Sequence, residues 1–285
     1  MRVFVVGGTG VLGRELVRAL LPRGHVVRVL ARSPQEATRV LPAGTEVAAG
    51  DLLEPKLWLE PLLEGCEAVV HAATAIPPDP RAPGAWIANR RLRTEGTRRL
   101  LEAASSAGVR RYLQQSIAFA YADAGDRELD ETAPLDPSDL RVDIREMEAL
   151  VRAAPLEFCI LRGGLFVGPG TAQEAQIERL RAGAEVVPGE GRAWLPFIHP
   201  ADLALAFALA LEGAPAGSIY NAAADPVRQG DYLDRLAAAI RLPAPRRDPT
   251  RPQPPSTRAT SRAIARALGW GPLRMLVPPW GIPIA

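Results

Sequence analysis

Three glycines near the amino terminus have the spacing of a phosphate-binding turn. Gly7, Gly10 and Gly13 lie in the segment GGTGVLG, directly after the strand-like run RVFVV and directly before an amphipathic helical stretch. Glycine permits a tight turn, close approach of the backbone to a pyrophosphate, and close packing of helix on strand. The helix that follows offers unpaired N–H groups and the positive end of its dipole to phosphate oxygens. This pattern predicts a dinucleotide site, to which the same segment would also contribute Thr9, Val11 and Leu12.

The end of the second predicted strand bears on which dinucleotide is bound. Proteins that prefer NAD usually have an acidic residue there, which bonds the ribose hydroxyls. This strand ends in Ala31, Arg32 and Ser33, without a carboxylate. The Arg32 guanidinium can pair with a 2′-phosphate, and the Ser33 hydroxyl can donate to it. The sequence therefore favours NADP(H), with NAD left open. The alternative is that Arg32 is a solvated residue at a strand end.

The elements that must position these residues alternate regularly along the chain. Short β-branched runs followed by helical stretches predict an α/β fold, a Rossmann-type doubly wound parallel sheet of about seven strands. Helices are expected to end near Gly24, Gly108 and Pro155. The predicted strands are 2–6, 26–30, 45–48, 67–71, 110–115, 156–161 and 217–221.

The composition of the chain changes after about residue 165. The segments 166–198 and 223–285 are rich in glycine, proline and arginine, and we predict that they form a small substrate-binding lobe. Residues 1–165 and the returning segment 199–222 would form the dinucleotide-binding domain. The apolar tail MLVPPWGIPIA is expected to dock on its own subunit, with an oligomer contact as the alternative.

The bulk composition excludes several classes of protein. The 285 residues are 47% hydrophobic and 23% charged, which indicates a globular protein. A net charge of +2 without a dense basic patch gives no reason to expect nucleic acid. No apolar run reaches the ~18 residues of a membrane span, and three histidines without clustered carboxylates predict no metal site. The strand-like start without a signal peptide and two apolar-flanked cysteines predict a cytoplasmic protein with free thiols, as monomer or homodimer.

Beyond these patterns, the sequence resembles the extended and atypical short-chain dehydrogenase/reductases, the NAD-dependent epimerase/dehydratase group. GGTGVLG resembles that family's phosphate loop, and LRGGLFVGPG, FIHPADLALA and GSIYNAAA resemble later segments, so the likeness runs nearly end to end. It implies that Asp51 and Leu52 of AGDLLEP contact the adenine. It also implies that the strand AVVHAAT passes beside the cofactor with His71, Ala72 and Ala73. We expect His71 to be a hydrogen-bonded wall rather than a general base.

The resemblance also reveals a departure at the residues that do the family's chemistry. Its members transfer a proton with a Tyr-x-x-x-Lys pair, in which the lysine lowers the pKa of the tyrosine. None of the four tyrosines here has a lysine four residues later, and Lys56 is the only lysine. Aligning SDLRVDIREMEALVRA on the family's catalytic helix puts Leu140 at the tyrosine position and Ile144 at the lysine position. The charged residues of this helix, expected to form a solvated face, are Asp143, Arg145 and Glu146.

Two residues after the fifth predicted strand remain as candidates for catalysis. Ser116 resembles the family's substrate-positioning serine, whose hydroxyl bonds a carbonyl oxygen. Tyr121 resembles a tyrosine that lines the pocket, and it is the candidate for a surrogate acid. The alternatives are that Ser116 satisfies backbone groups at a strand end and that Tyr121 is a packing residue.

Two functions are compatible with this sequence. One is an NADP(H)-dependent oxidoreductase or epimerase-like enzyme acting on a small carbonyl or hydroxyl substrate. The other is a non-catalytic dinucleotide-binding redox sensor or assembly factor. A retained lobe that could cover a pocket favours the enzyme, and loss of both dyad positions favours the binding protein.

Overall fold

The computed structural model describes residues 1–77, 79 and 82–280. Its strands are β1 Arg2–Val6, β2 Val26–Ala31, β3 Glu46–Ala49, β4 Ala68–His71, β5 Arg111–Ile117, β6 Glu128–Leu129, β7 Glu157–Gly163, β8 Leu165–Phe166, β9 Val187–Pro188, β10 Trp194–Leu195, β11 Phe197–Ile198, β12 Ser218–Ala222, β13 Val227–Arg228, β14 Arg247–Asp248 and β15 Arg258–Ala259. Its helices are α1 Val11–Leu20, α2 Pro34–Val40, α3 Ile87–Arg91, α4 Thr97–Ser106, α5 Val142–Ala153, α6 Ala172–Arg181, α7 Pro200–Gly213, α8 Gln229–Ala239 and α9 Arg262–Leu268. A π-helical segment, Leu92–Gly96, joins α3 to α4.

A seven-stranded sheet has the strand order β12-β7-β5-β4-β1-β2-β3. The pairs β1–β2, β2–β3, β1–β4 and β4–β5 are all parallel. From β1 the chain adds β2 and β3 on one side of the sheet and then returns to add β4 on the other side of β1. The strand order therefore switches direction between β1 and β4. Such a switch leaves a crevice at the carboxyl ends of these two strands. The predicted Rossmann-type doubly wound sheet is confirmed, and every predicted strand lies within two residues of an observed one.

The strands on either side of the switch point are continuous apolar runs. Residues Val3–Val6 of β1 and Ala68–Val70 of β4 are buried. Such runs are typical of parallel strands covered on both faces by helices. The burial fixes both strand ends in place, so the turns that follow them start from rigid positions.

Contacts between residues divide the chain into two compact units. The first, which we call the nucleotide unit, comprises Met1–Ser116, Ser138–Leu161 and Phe207–Ile219. The second unit comprises Ile117–Pro137, Arg162–Ala206 and the described residues from Tyr220 onward. Segment 117–137 belongs to the second unit because β6 pairs with β15, whereas the sequence had assigned it to the dinucleotide-binding domain. The predicted roles of the two domains stay predictions.

The tail of the chain packs on the second unit. Leu276, Val277 and Trp280 contact an apolar core that includes residues of α6 and α8. Gln173 of α6 donates to the carbonyl oxygen of Leu276 at 2.7 Å and accepts from the Trp280 indole at 2.8 Å. The predicted docking on its own chain is confirmed up to Trp280, while 281–285 lie outside the described residues.

The structure also bears on the cysteines and on membrane insertion. Cys66 and Cys159 are free and buried, as predicted, and burial raises the pKa of the Cys159 thiol to about 12. No helix within the described ranges is both long and apolar enough to cross a bilayer.

Candidate functional site

Two glycines at the turn between β1 and α1 lie where a side chain would not fit. Gly7 has φ +87°, and a Cβ placed on it would lie 2.5 Å from the backbone nitrogen of Ala73. A Cβ on Gly13 would overlap the carbonyl oxygen of Gly7 and lie 2.5 Å from Cα of Gly8. Gly7 is therefore required by contact and by conformation, whereas Gly13, which lies within α1, is required by contact alone. They leave a cradle of bare backbone at the switch point of the sheet.

The start of α1 provides the positive potential that a pyrophosphate needs. Gly10 precedes the helix, and its N–H donates to the carbonyl oxygen of Gly7 at 3.1 Å. Since glycine has no side chain to cap a helix, the first amides, including those of Val11 and Leu12, remain available to a ligand. The first turn contains no acidic residue that would neutralise the helix dipole. The residues present therefore fit a pyrophosphate at this turn.

The backbone that follows β4 forms one side of this cradle. The N–H of Ala72 donates to the carbonyl oxygen of Val6 at 2.9 Å, which extends the pairing of β4 with β1. The next residue, Ala73, is the one that a side chain at Gly7 would strike. The structure thus brings the phosphate loop together with two of the residues that were predicted to lie beside the cofactor.

Arg32 and Ser33 follow β2 and begin the next helix. Arg32 is exposed, and among the described residues its guanidinium has no hydrogen-bond or ion-pair partner. Ser33 caps α2, because its hydroxyl oxygen accepts the N–H of Glu36 at 3.4 Å. Accepting this bond leaves the hydroxyl hydrogen of Ser33 free to be donated. The pair is placed at the carboxyl end of β2, as the 2′-phosphate prediction requires.

The predicted adenine segment is fixed to α4. Asp51 accepts the N–H of Leu53 at 2.9 Å and so holds a tight turn after β3. Leu52 is buried, and its carbonyl oxygen accepts from Arg99 at 2.6 Å. Its side chain lies against Gly96, where a Cβ would come within 2.9 Å of Leu52 Cδ2. Contact of either residue with adenine stays a prediction.

His71 ends β4 inside a buried polar cluster. Its Nδ1 lies 3.1 Å from Gln114 Oε1, 3.2 Å from Thr97 Oγ1 and 3.3 Å from the Tyr112 hydroxyl oxygen. Its Nε2 has no hydrogen-bond partner among the described residues. Burial lowers the pKa of His71 to about 4, so the ring is neutral at physiological pH. A neutral, enclosed imidazole fits the expected hydrogen-bonded residue beside the cofactor better than it fits a general base.

This shift predicts a pH-dependent loss of stability. In the unfolded chain His71 takes up a proton near pH 6.5, whereas in the folded protein it does so only near pH 4. As the pH is lowered, the unfolded state binds the proton before the folded state does. The free energy of unfolding should therefore fall by about 3 kcal/mol as the pH decreases from 6.5 to about 4. Urea unfolding of the wild type and of a His71→Gln variant across this range measures the difference in slope. Identical slopes for both proteins would contradict the prediction.

Ser116 ends the part of β5 that lies in the nucleotide unit, and its hydroxyl points to a buried carboxylate. The hydroxyl donates to Glu148 Oε1 of α5 at 2.8 Å, and Ser116 and Glu148 are each 1% exposed. Arg152, one turn further along α5, donates to Glu148 Oε2 at 3.0 Å. The Ser116 hydrogen is therefore already used within the protein. The catalytic role of Ser116 stays a prediction, and these contacts favour a structural one.

Tyr121 is buried in the second unit. Its hydroxyl donates to Asn221 Oδ1 at 2.7 Å and accepts from Arg162 at 2.7 Å. Burial raises the pKa of Tyr121 to about 12, although the Arg162 charge lowers it in part. In the usual dyad the pKa of the tyrosine is lowered instead. The role of Tyr121 as a surrogate acid stays a prediction, and its environment favours the packing alternative.

The region aligned with the catalytic helix has unusual surroundings. Leu140 is 80% exposed in the turn before α5, and Ile144 is fully buried. The expectation of a solvated face is wrong for Asp143, which is buried and accepts from Arg93 at 2.8 Å. The pairing places this carboxylate against the π-helical segment rather than in water. Sequence spacing gave no signal for the pair, because its two residues lie on different helices.

Bare backbone at the switch point of a doubly wound sheet is how Rossmann-type proteins bind dinucleotides, and this fold and turn define that class. Residues 3–223 match the NAD dependent epimerase/dehydratase family. The chain belongs to this family and is an extended or atypical short-chain dehydrogenase/reductase. Its cofactor is a nicotinamide dinucleotide.

Three comparisons show how far the likeness extends. The chain is 36% identical over 299 residues to the 3-diazoavenalumate denitrifying reductase of a Streptomyces species, covering 95% of this chain and 96% of that protein. It is 37% identical to the photosystem II assembly factor Ycf39 of Synechocystis, but over only 41% of this chain and 34% of that protein. Among solved structures, MoeE5 in complex with UDP-glucuronic acid and NAD has a TM-score of 0.76 at 26% identity, covering 95% of this chain and 94% of that one.

Proposed function

We propose that this protein is an NADPH-dependent reductase of a small electrophile whose reduction needs no proton from the protein. The observation that carries the proposal is the likeness to a denitrifying reductase along nearly the full length of both chains. The bound nicotinamide would supply a hydride, and the chain would bind and orient the cofactor at the β1–α1 turn. A cytoplasmic location belongs to this proposal and is supported by two free, buried thiols.

The side chains near the carboxyl edge of the nucleotide unit support a reaction without a protein acid. The Ser116 hydrogen is donated to Glu148, and the low pKa of His71, about 4, keeps that ring neutral. The sequence contains no tyrosine with a lysine four residues later. Carbonyl reduction consumes a proton together with the hydride, which the usual dyad provides. A substrate that accepts a hydride alone would not need that dyad.

An aryl diazonium ion is a substrate of this kind. Its reduction forms a carbon–hydrogen bond from the hydride and breaks the carbon–nitrogen bond, whose electron pair leaves with dinitrogen. The products are the arene, dinitrogen and the oxidised dinucleotide, and no proton is consumed or released. We therefore propose an aryl diazonium compound as the substrate class, with carbonyl compounds as the competing class.

Isotopic labelling of the hydride tests this function. With NADPH deuterated at C4 of the nicotinamide, we expect a singly deuterated arene, formed faster than in a protein-free reaction. With unlabelled NADPH in D₂O, we expect an arene without deuterium and a rate that changes little around neutral pH. Turnover of aldehydes or ketones without turnover of the diazonium compound would contradict the proposal.

Arg32 should decide which dinucleotide is preferred. Replacing Arg32 with Asp removes a charge-assisted contact to the 2′-phosphate and adds a repelling charge, so NADPH affinity should fall by about 100-fold or more. NADH affinity should change by less than about tenfold. Calorimetric titration with both dinucleotides measures the two effects, and Arg39→Asp on α2 is a control of equal charge change. An equal loss of affinity for NADPH and for NADH would contradict the proposed preference for NADP(H).

A second candidate function is a dinucleotide-binding assembly factor or redox sensor. The matches to Ycf39 assembly factors favour it, although they cover less than half of this chain. Tight NADPH binding without turnover of either the diazonium or the carbonyl class would support this candidate over the reductase.

A further inference from the structure

The connection from β4 to α3 exposes large apolar side chains to solvent. Trp86 is 43% exposed and Ile87, the first residue of α3, is 62% exposed. Removing apolar surface from water is favourable, so this surface favours a partner that covers it. Neighbouring exposed apolar residues, unlike scattered single ones, are typical of binding sites.

These two side chains line a cavity of about 330 Å³ in the nucleotide unit. Among the residues that the structure describes, the rest of its lining consists of three small residues and two arginines, Arg90 and Arg91. Its volume is at the lower end of the ~300–1,000 Å³ range of small-molecule sites. The cavity can therefore hold one ring with a short substituent.

The charge of the residues that line the cavity indicates which substituent a bound ring would carry. Among the described residues that line the cavity, two carry guanidinium groups and none carries a carboxylate. Arg91 is paired with Glu95 at 2.9 Å. Arg90 is exposed, and among the described residues its guanidinium has no ion-pair or hydrogen-bond partner. Arg90 is thus available to bind the anionic group of a ligand.

A buried asparagine fixes the cavity to the segment that follows β4, beside the phosphate loop. Asn89, between the lining residues Ile87 and Arg90, is fully buried, and its Oδ1 accepts the N–H of Ala75 at 2.9 Å. Ala75 is two residues beyond Ala73, whose backbone lies against Gly7. The cavity therefore belongs to the same edge of the nucleotide unit as the predicted pyrophosphate site.

We propose that this cavity binds the aryl carboxylate end of the substrate. Trp86 stacks on the aromatic ring, Ile87 contacts its edge, and Arg90 pairs with the carboxylate through two parallel hydrogen bonds. That this ligand is the substrate rests on the proposed function. Binding of an aryl carboxylate to the cavity does not depend on that function. A carboxylate on a short substituent of the aryl ring would be the group that distinguishes the substrate from neutral arenes.

Binding of a non-reducible pair of probes tests the site separately from turnover. In titrations of the full chain saturated with NADPH, we expect trans-cinnamate to bind at least about tenfold tighter than cinnamyl alcohol. Arg90→Gln should abolish this preference, and Trp86→Ala should weaken both probes. Arg98→Gln, on an exposed arginine of α4, removes the same charge and should leave both affinities unchanged.

Several results would overturn the proposal. They are equal affinity for acid and alcohol, binding of neither, and the same effect of Arg90→Gln as of Arg98→Gln. Unchanged NADPH affinity in each variant shows that it has folded. If cinnamate binds as expected but diazonium compounds are not reduced, the site stands and the reductase function fails.

Discussion

Replacing Gly13 with alanine should weaken dinucleotide binding by roughly 100-fold or more. The new Cβ would overlap the carbonyl oxygen of Gly7 and press on the backbone of Gly8, and neither can yield as a flexible side chain does. The turn or the start of α1 must shift, which misaligns the amides that face the pyrophosphate. Losing two charge-assisted hydrogen bonds of about 1.5–3 kcal/mol each reduces affinity by roughly 100-fold or more. Calorimetric titration with NADPH and NADH measures this loss.

A glycine elsewhere in the same unit provides the matched control. Gly24 has φ +79°, and a Cβ there would meet no described atom within 4 Å. Gly24→Ala should cost about 1–2 kcal/mol of stability from its backbone conformation and leave dinucleotide affinity unchanged. Wild-type affinity in Gly13→Ala would show that the turn does not bind the pyrophosphate.

Ser116→Ala should reduce stability rather than cofactor binding. The substitution removes the hydrogen donated to a carboxylate that is 1% exposed, while Arg152 still donates to Glu148. Leaving a buried acceptor without its donor costs about 1–3 kcal/mol, and more if the carboxylate stays charged. Urea unfolding measures this cost, while titration with NADPH should give the wild-type affinity.

A double-mutant cycle separates the structural role from a catalytic one. In a Glu148→Gln background, Ser116→Ala should cost less than it does in the wild type, because the buried charge is gone. Ser105→Ala, on an exposed serine of α4, should change stability by less than about 0.5 kcal/mol. Unchanged stability with a large fall in turnover would instead establish Ser116 as a catalytic residue.

The features that the sequence predicted well are those that depend on local sterics. Bare glycines after a strand and β-branched runs have few structural solutions, so the phosphate turn and the sheet could both be predicted. The contacts of Ser116 and Tyr121 could not, because their partners lie 32 and 100 residues away in the chain. Gly8 was also missed, although a Cβ there would come within 2.6 Å of Val29, and the doubled glycine was the only signal for it.

The resemblance to a family identified positions but not their environments. It placed Ser116 at a substrate-positioning site, yet it gave no indication that α5 offers this hydroxyl a buried acid. It likewise gave no reason to expect that Asp143 is buried against Arg93. Side-chain burial depends on packing between helices, which a motif of a few residues does not encode.

The π-helical segment Leu92–Gly96 has a consequence for how specificity can change. A π turn contains one residue more than an α turn, and each residue of a regular helix advances by about 100° around its axis. Deleting one residue here would restore a regular α turn with little rotation of α3, whereas deleting one residue from a regular turn of α4 would rotate α3, and Arg90 with it, by about that angle relative to the rest of α4. A loss of one residue at the π turn would thus preserve the direction of Arg90, whereas the same loss in α4 would redirect it, and in both cases the dinucleotide turn, on a separate part of the chain, stays intact.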